Sequence, residues 1–354
     1  MEEEINIVNS NNLAKNIIIV DGFSATGKKL ISTYLQTFSR VQKMEVNQIF
    51  GQIANLYTFK KIEKESASTI LNIFADTLLQ NTLLSRDINF RPYDGSSVFK
   101  TYNKFDYFKR LLVQDGDNIF KLINEKKPIL NIMTHYGMPS IDIFFETFKH
   151  RLKFIYCVRH PVYSFNHWEY ILENIKKNNK RFSTLNINTN NNINEIPWYF
   201  IKSQNNFNQL PGDILIDKLL FLKKLIIKNS KKVPIEFHNS ILEIPFENFI
   251  MDSFNYQKII TNFINDSPTK NTFKYLKKEK LPSPYFSKRK EIRSGIKYDV
   301  FRNEKEDQSD FNSRMNKIKK ITSKNKFEEL IKYNLEYEKK YKIKYISTEN
   351  YLNS

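Results

Sequence analysis

Residues 17–38 constrain this chain more than any other stretch. Ile17-Ile18-Ile19-Val20 is an unbroken β-branched apolar run, the composition of a strand buried on both faces. It meets Asp21 and then Gly22-Phe23-Ser24-Ala25-Thr26-Gly27-Lys28-Lys29. Beyond that loop Leu30, Ile31, Tyr34, Leu35 and Phe38 recur at helical spacing. Strand, glycine-bounded loop and amphipathic helix together open a βαβ unit.

Gly22-x-x-x-x-Gly27-Lys28 fits the first seven positions of the nucleotide-binding P-loop. Glycines let the backbone turn tightly, and its N–H groups then aim inward. The helix N-terminus adds partial positive charge, and the lysine reaches the terminal phosphate. The alternative is a chance glycine turn with a solvated lysine pair; the strand before and helix after oppose it. The eighth position departs from the motif, because Lys29 stands where Mg²⁺ needs a Ser or Thr hydroxyl. A cation there repels the metal, so the loop suits a phosphate-like anion without a divalent ion.

Further along, helices are expected over 48–58, 66–84, 104–112, 117–125, 139–149, 161–176, 213–228, 255–265 and 326–342. The pattern Ile70, Ile73, Phe74, Thr77 and Leu78 marks the apolar positions of the second of these. Strands are expected at 129–133, 153–158 and 241–246, and Pro245 marks the last as an end or an edge. Strands alternating with helices predict an α/β fold of three layers, α/β/α, around a mainly parallel sheet. We read residues 1–354 as one domain, with an Asn/Lys-rich surface insertion at about 176–194. From about 266 a basic extension follows, its residues 266–322 expected as loops lying over the core.

With 56 Lys and Arg against 38 Asp and Glu, the net charge is +18, which favours a polyanionic partner. Nucleic acid is not favoured, since no aromatic pair sits in a recognisable basic motif. Basic runs such as Lys176-Lys177, Lys223-Lys224, Lys231-Lys232 and Lys288-Arg289-Lys290 read as solvated faces, the alternative being attraction of an anionic glycan or nucleic acid. The single cysteine, Cys157, excludes an intramolecular disulfide framework and a thiolate-rich zinc site. It reads as a buried thiol in a reducing cytoplasm. No run approaches the ~20 apolar residues of a membrane span, and Met1-Glu2-Glu3-Glu4 is acidic where a signal peptide is positive.

Four segments, taken in order over roughly 17–265, resemble the PAPS-dependent sulfotransferases, a P-loop family whose donor is 3′-phosphoadenosine 5′-phosphosulfate. The Gly22–Gly27 loop is similar to the family's 5′-phosphosulfate loop. Thr134-His135 is similar to the segment whose histidine is the catalytic base. Phe154-Ile-Tyr-Cys-Val-Arg159-His-Pro161 is similar to the strand ending in Arg-x-Pro, whose arginine binds the 3′-phosphate. Ile244-Pro-Phe246-Glu247-Asn-Phe249 is similar to a Tyr/Phe-Glu-Asp segment late in the domain.

The resemblance implies sulfonate transfer from PAPS, without a metal, to a hydroxyl or amine of a glycan or small-molecule acceptor. His135 is then the base, and Lys28 the cation on the transferring group. Gly22, Ser24, Ala25, Thr26, Gly27, Lys28, Lys29, Arg159, Ser164 and Arg293 hold the donor. Ser164 stands one turn before His167, which occupies the family's serine position, and Arg293-Ser-Gly295 is faintly similar to the Arg-Lys-Gly contact. Many members carry Lys or Arg where Ala25 stands.

Each residue also has a plainer reading. His135 hydrogen-bonds a loop backbone, Arg159 forms a surface ion pair, and His160 and His167 are structural. Trp168, Tyr170, Trp198 and Tyr199 are core rather than the lining of an acceptor cleft. Two other functions compete: an ATP-dependent P-loop kinase, favoured by Lys28 and opposed by Lys29, and a non-catalytic binder of nucleotide or polyanion. Acceptor choice falls to the variable loops 86–103, 178–212 and 266–322.

Overall fold

The computed structural model describes residues 12–94, 96–112, 118–177, 184–188, 195–203, 209–284 and 304–352. Its strands are β1 (Ile17–Gly22), β2 (Glu45–Val46), β3 (Leu130–Met133), β4 (Leu152–Val158), β5 (Asn186–Ile187), β6 (Ile196–Pro197) and β7 (Ile241–Pro245). The first helices are α1 (Lys28–Leu35), α2 (Ile49–Thr58), α3 (Lys64–Leu84), α4 (Lys104–Arg110), α5 (Asn118–Lys126), α6 (Ile141–Phe148) and α7 (Pro161–Lys176). Then come α8 (Pro211–Ser230), α9 (Phe246–Met251), α10 (Ser253–Ile264), α11 (Lys270–Lys278), α12 (Glu304–Lys320) and α13 (Lys324–Tyr341).

Five strands form one sheet in the order β2-β3-β1-β4-β7, every pair parallel. Its centre is β1, in register with β3 from Ile17 opposite Leu130 and with β4 from Ile17 opposite Leu152. The period-two geometry of a strand splits the run Ile17–Val20 between two cores. Ile18 and Val20 join Ile155, Cys157 and residues of α1, α7, α8 and α13 on one face. Ile17 and Ile19 join Leu130, Ile132, Phe154 and residues of α2, α3 and α6 on the other. Helices cover both faces, so the fold is the expected α/β/α sandwich. β7 is an edge strand that ends on Pro245, the two positions where a missing N–H is tolerated.

Two expectations are corrected and one strand is added. The apolar positions of α3 are out of phase: Ala67, Leu71, Ala75, Leu79 and Leu83 are buried, while Ile70 and Ile73 are exposed. Two alanines line the face that packs on α6, where close helix approach favours small side chains, and they escape a search for bulky residues. Residues 266–322 are not simply loops, for they contain α11 and α12. α12 buries Phe311, Met315 and Ile318 at i, i+4 and i+7, a thin stripe diluted by surrounding Lys, Asp and Asn. β2 was not expected at all, being two residues long and at the sheet edge. The Asn/Lys-rich stretch contributes β5, which pairs antiparallel with β6. No helix among the described residues is long and apolar enough to cross a membrane.

Candidate functional site

All five parallel strands end on one edge of the sheet, where open α/β sheets bind ligands. There β1 runs into the Gly22–Lys28 loop, β3 into Thr134–Gly137, β4 into Arg159-His160 and β7 into Phe246-Glu247.

Two glycines make the first loop possible. A Cβ at Gly22 would lie 2.4 Å from the Cys157 carbonyl oxygen on β4, and one at Gly27 would lie 2.2 Å from the Phe246 ring. Gly27 also takes φ +83°, and Ala25 shares the left-handed region at +69°. The loop closes on one acceptor: the Lys28 ammonium donates to the Phe23 carbonyl at 2.9 Å and the Thr26 hydroxyl donates to the same oxygen at 2.8 Å. Lys28 is thereby buried, while Lys29 on the next position of α1 is half-buried.

Asp21, just before the loop, is fully buried and accepts from the Thr134 hydroxyl at 2.9 Å and the Met138 N–H at 2.7 Å. It therefore ties the ends of β1 and β3 together. Burial pushes its carboxyl above the usual range, and the nearby Lys28 ammonium opposes that shift in part.

His135 follows Thr134 and is half-buried. Its carbonyl oxygen lies 3.1 Å from where a Cβ on Gly51 would stand, so α2 approaches closely there. Tyr136, at φ +59°, turns its ring back over the loop. It stacks on Phe23 at 5.6 Å and on Tyr199 at 4.5 Å, and its hydroxyl meets that of Ser24 at 3.3 Å. Trp168 Nε1 donates to the Ser24 carbonyl at 3.1 Å. Trp168, Trp198 and Tyr199 are thus buried as core, and Tyr170 is half-buried. Trp168 packs directly on the loop, and Trp198 and Tyr199 pack on Tyr136 behind it.

Arg159 closes the loop from the β4 side. Its Nη1 donates to the Ala25 carbonyl at 3.1 Å, and its guanidinium lies 4.5 Å from the Phe246 ring and 5.6 Å from that of Tyr163. Arg314 of α12 stands 5.4 Å from the same Tyr163 ring and pairs with Asp310 at 2.7 Å. Burial holds the Arg159 guanidinium below its usual pKa, and Glu247 opposes this. Among the described residues the Arg159 Nε and the Ser164 Oγ are buried without a hydrogen-bond partner. Among the described residues Arg159 makes no surface ion pair; its hydrogen bond goes to the Ala25 carbonyl of the loop.

His160 is structural. Its backbone N–H donates to Glu247 Oε1 at 2.9 Å and its Nε2 faces Glu338 Oε1 at 3.1 Å. Glu247, fully buried, also accepts from the Tyr337 hydroxyl at 2.8 Å, which joins α9, the start of α7 and α13. Of the basic runs, Lys223 pairs with Glu336 and Lys232 with Asp142. Arg293 and Lys288-Arg289-Lys290 lie outside the described residues.

Two residues beside the site escaped sequence reasoning. Asp21 was visible as the first charge after an apolar run. Lys218 of α8 is 1% exposed, with its ammonium 4.6 Å from Trp168, 5.0 Å from Tyr199 and 5.3 Å from Tyr136. Its signal was register: Ile214, Lys218 and Leu222 share one buried stripe at four-residue spacing, so a lysine occupies a core position.

A cleft of about 650 Å³ opens at the end of β2, between Val46–Ile49, Gln52 and Thr184-Leu185. It adjoins the β3 turn, since the Asn47 N–H donates to the Met133 carbonyl at 3.3 Å. Among the described residues no group of three His, Cys, Asp or Glu could hold a metal ion. No protein-family model matches the chain, and no curated protein matches it in sequence.

Proposed function

We propose that the chain is a sulfotransferase that moves the sulfonate of PAPS to a hydroxyl or amine of a glycan or small-molecule acceptor. The observation that carries this reading is a pair of buried polar atoms at the β4–α7 junction, Arg159 Nε and Ser164 Oγ, that have no hydrogen-bond partner among the described residues and lie next to a glycine-bounded loop. Each such atom costs about 1–3 kcal/mol, a cost that phosphate oxygens would remove. The four segments of the family resemblance meet at this one edge of the sheet, which supports it further.

In this reading PAPS supplies a sulfur–oxygen bond whose breaking releases 3′,5′-adenosine bisphosphate with the electron pair. The loop amides and the α1 N-terminus hold the 5′ anion. Arg159 and Ser164 hold the 3′-phosphate, the guanidinium keeping one N–H on Ala25. Lys28 turns from the Phe23 carbonyl to neutralise charge on the bridging oxygen. His135 takes the acceptor's proton on an imidazole nitrogen as the acceptor oxygen bonds to sulfur. The cleft at the end of β2 is the acceptor's approach to His135. A reducing cytoplasm suits the buried Cys157 thiol.

The test is thermal unfolding of the full chain with 3′,5′-adenosine bisphosphate, Mg-ADP or Mg-ATP. The bisphosphate without metal is expected to stabilise the fold by about 2.7 kcal/mol at ~100 times its dissociation constant. Arg159→Ala is expected to lose most of that shift. His135→Ala is expected to keep it and lose transfer of sulfonate. Stabilisation by the Mg-nucleotides alone would replace this reading with a kinase, and wild-type turnover in both variants would remove the assigned roles.

A further inference from the structure

We propose that residues 86–112 form a docking surface for an anionic lipid membrane. This segment has only a small core of its own: Ile88, Val98 and Tyr107 are buried, with Phe108 packed partly against them. Around it the apolar side chains point outward. Tyr93 is 96% exposed, Leu112 86% and Phe105 67%, and Phe90, Phe99 and Leu111 are exposed as well. Elsewhere among the described residues the exposed large aromatics are Phe120, Phe254, Phe273 and Tyr345.

The rings are contiguous. Phe90 lies 6.3 Å from Phe99 and 6.0 Å from Phe108, Phe99 lies 6.1 Å from Phe108, and Phe105 lies 6.5 Å from Phe108. A continuous exposed apolar patch marks an interaction surface. Its charge says which. Residues 86–112 carry Arg86, Arg91, Lys100, Lys104, Lys109 and Arg110 against Asp87, Asp94 and Asp106. Arg91, Lys100 and Lys109 are exposed. The lysines alternate with the rings: the Lys104 ammonium stands 5.4 Å from the Phe105 ring, and Lys100 donates to the Tyr93 carbonyl at 2.7 Å.

Aromatic and leucine side chains ringed by cations match the boundary between acyl chains and anionic headgroups. Rings enter the boundary, and lysines and arginines stay with the phosphates. Neither signal alone anchors a protein firmly; the two act together. The lobe is also firmly mounted. The Lys43 backbone N–H donates to the Tyr107 hydroxyl at 2.6 Å, and the buried Lys43 pairs with Glu45 of β2 at 2.6 Å. The patch is therefore carried by the edge of the sheet.

Co-sedimentation of the full chain with phosphatidylcholine vesicles, with and without phosphatidylglycerol, tests the proposal. Binding is expected only with the anionic lipid and is expected to fall when salt is raised to about 0.5 M. Phe105→Ser with Leu112→Ser should weaken it by about tenfold or more, and Lys100→Glu with Lys109→Glu should do likewise. Phe254→Ser, exposed on α10 outside this segment, should leave binding unchanged. A thermal melt and near-ultraviolet circular dichroism check that each variant is folded. The proposal is overturned by no anionic-vesicle binding, by equal binding to neutral vesicles, or by full retention in the Phe105/Leu112 variant. It is also overturned if the patch variants abolish a dimer or poly(U) RNA binding while vesicle binding persists.

Discussion

The loop after β1 and the junction after β4 perform the same structural task in opposite ways. Both carry a parallel strand of the central sheet into a helix, side by side on one edge. The first turns on a local network, Lys28 and Thr26 both donating to the Phe23 carbonyl at sequence distances of five and three, to which Trp168 and Arg159 add bonds from 144 and 134 residues away. The second is held from far away, by Glu247 on His160 N–H and by Glu338 on the His160 ring, 87 and 178 residues distant. A local network writes itself into a motif, whereas a remote one leaves isolated acids in the sequence. The two regions touch where Arg159 donates to Ala25 and Trp168 to Ser24, and Phe246 of α9 closes on Gly27.

That contrast can be broken at its strongest point first. Glu247→Ala should be the most damaging change at this edge, because it leaves a buried N–H and a buried tyrosine hydroxyl unpaired. About 3 kcal/mol or more of unfolding free energy should be lost. Urea denaturation should show this, with Glu247→Gln recovering part of the loss.

Gly27→Ala should come next, at about 1–3 kcal/mol, from a left-handed backbone and a collision with Phe246. The same substitution in a Phe246→Ala background should cost less, since only the backbone strain of about 1 kcal/mol remains. Equal costs in both backgrounds would show that the remote ring does not press on the local loop.

The smallest effect concerns Asp21. Burial raises its carboxyl in the folded chain above the ordinary 3.8. Between that value and the raised one, the folded protein keeps a proton that the unfolded chain has released. Stability from this group is therefore full at low pH and declines as pH rises through the window. Asp21→Asn should flatten the fall of unfolding free energy as pH rises above the ordinary carboxyl value of 3.8. A variant as steep as the wild type would assign the slope to other groups.

Much of the fold was legible because it is set by short-range pattern. Ile17–Val20 announced the central strand, and Leu30, Ile31, Tyr34, Leu35 and Phe38 the buried face of α1 and its continuation; all are buried. The face of α3 was not, because Ala67 and Ala75 face α6 while the more hydrophobic Ile70 and Ile73 face outward. α12 was hidden by its charges. At the candidate site, Gly22, Gly27, Lys28, His135, Arg159 and Ser164 were identifiable as residue types at telling positions. Asp21 and Lys218 were not, as their environments are made by other elements.

The sequence by itself determined the alternation of strands and helices, the glycine-bounded loop and its conformation. Period-two and period-3.6 burial and left-handed backbone angles are local properties. Only the tertiary structure decided the strand order β2-β3-β1-β4-β7, and with it which strand ends lie beside the loop. It alone decided that Lys218 lies among aromatic rings, that Glu247 and Glu338 hold His160, and that Arg159 and Ser164 keep buried polar atoms without partners among the described residues. Each is a pairing across a long stretch of chain. Such pairings follow from how buried surfaces close on one another, which no short window of sequence contains.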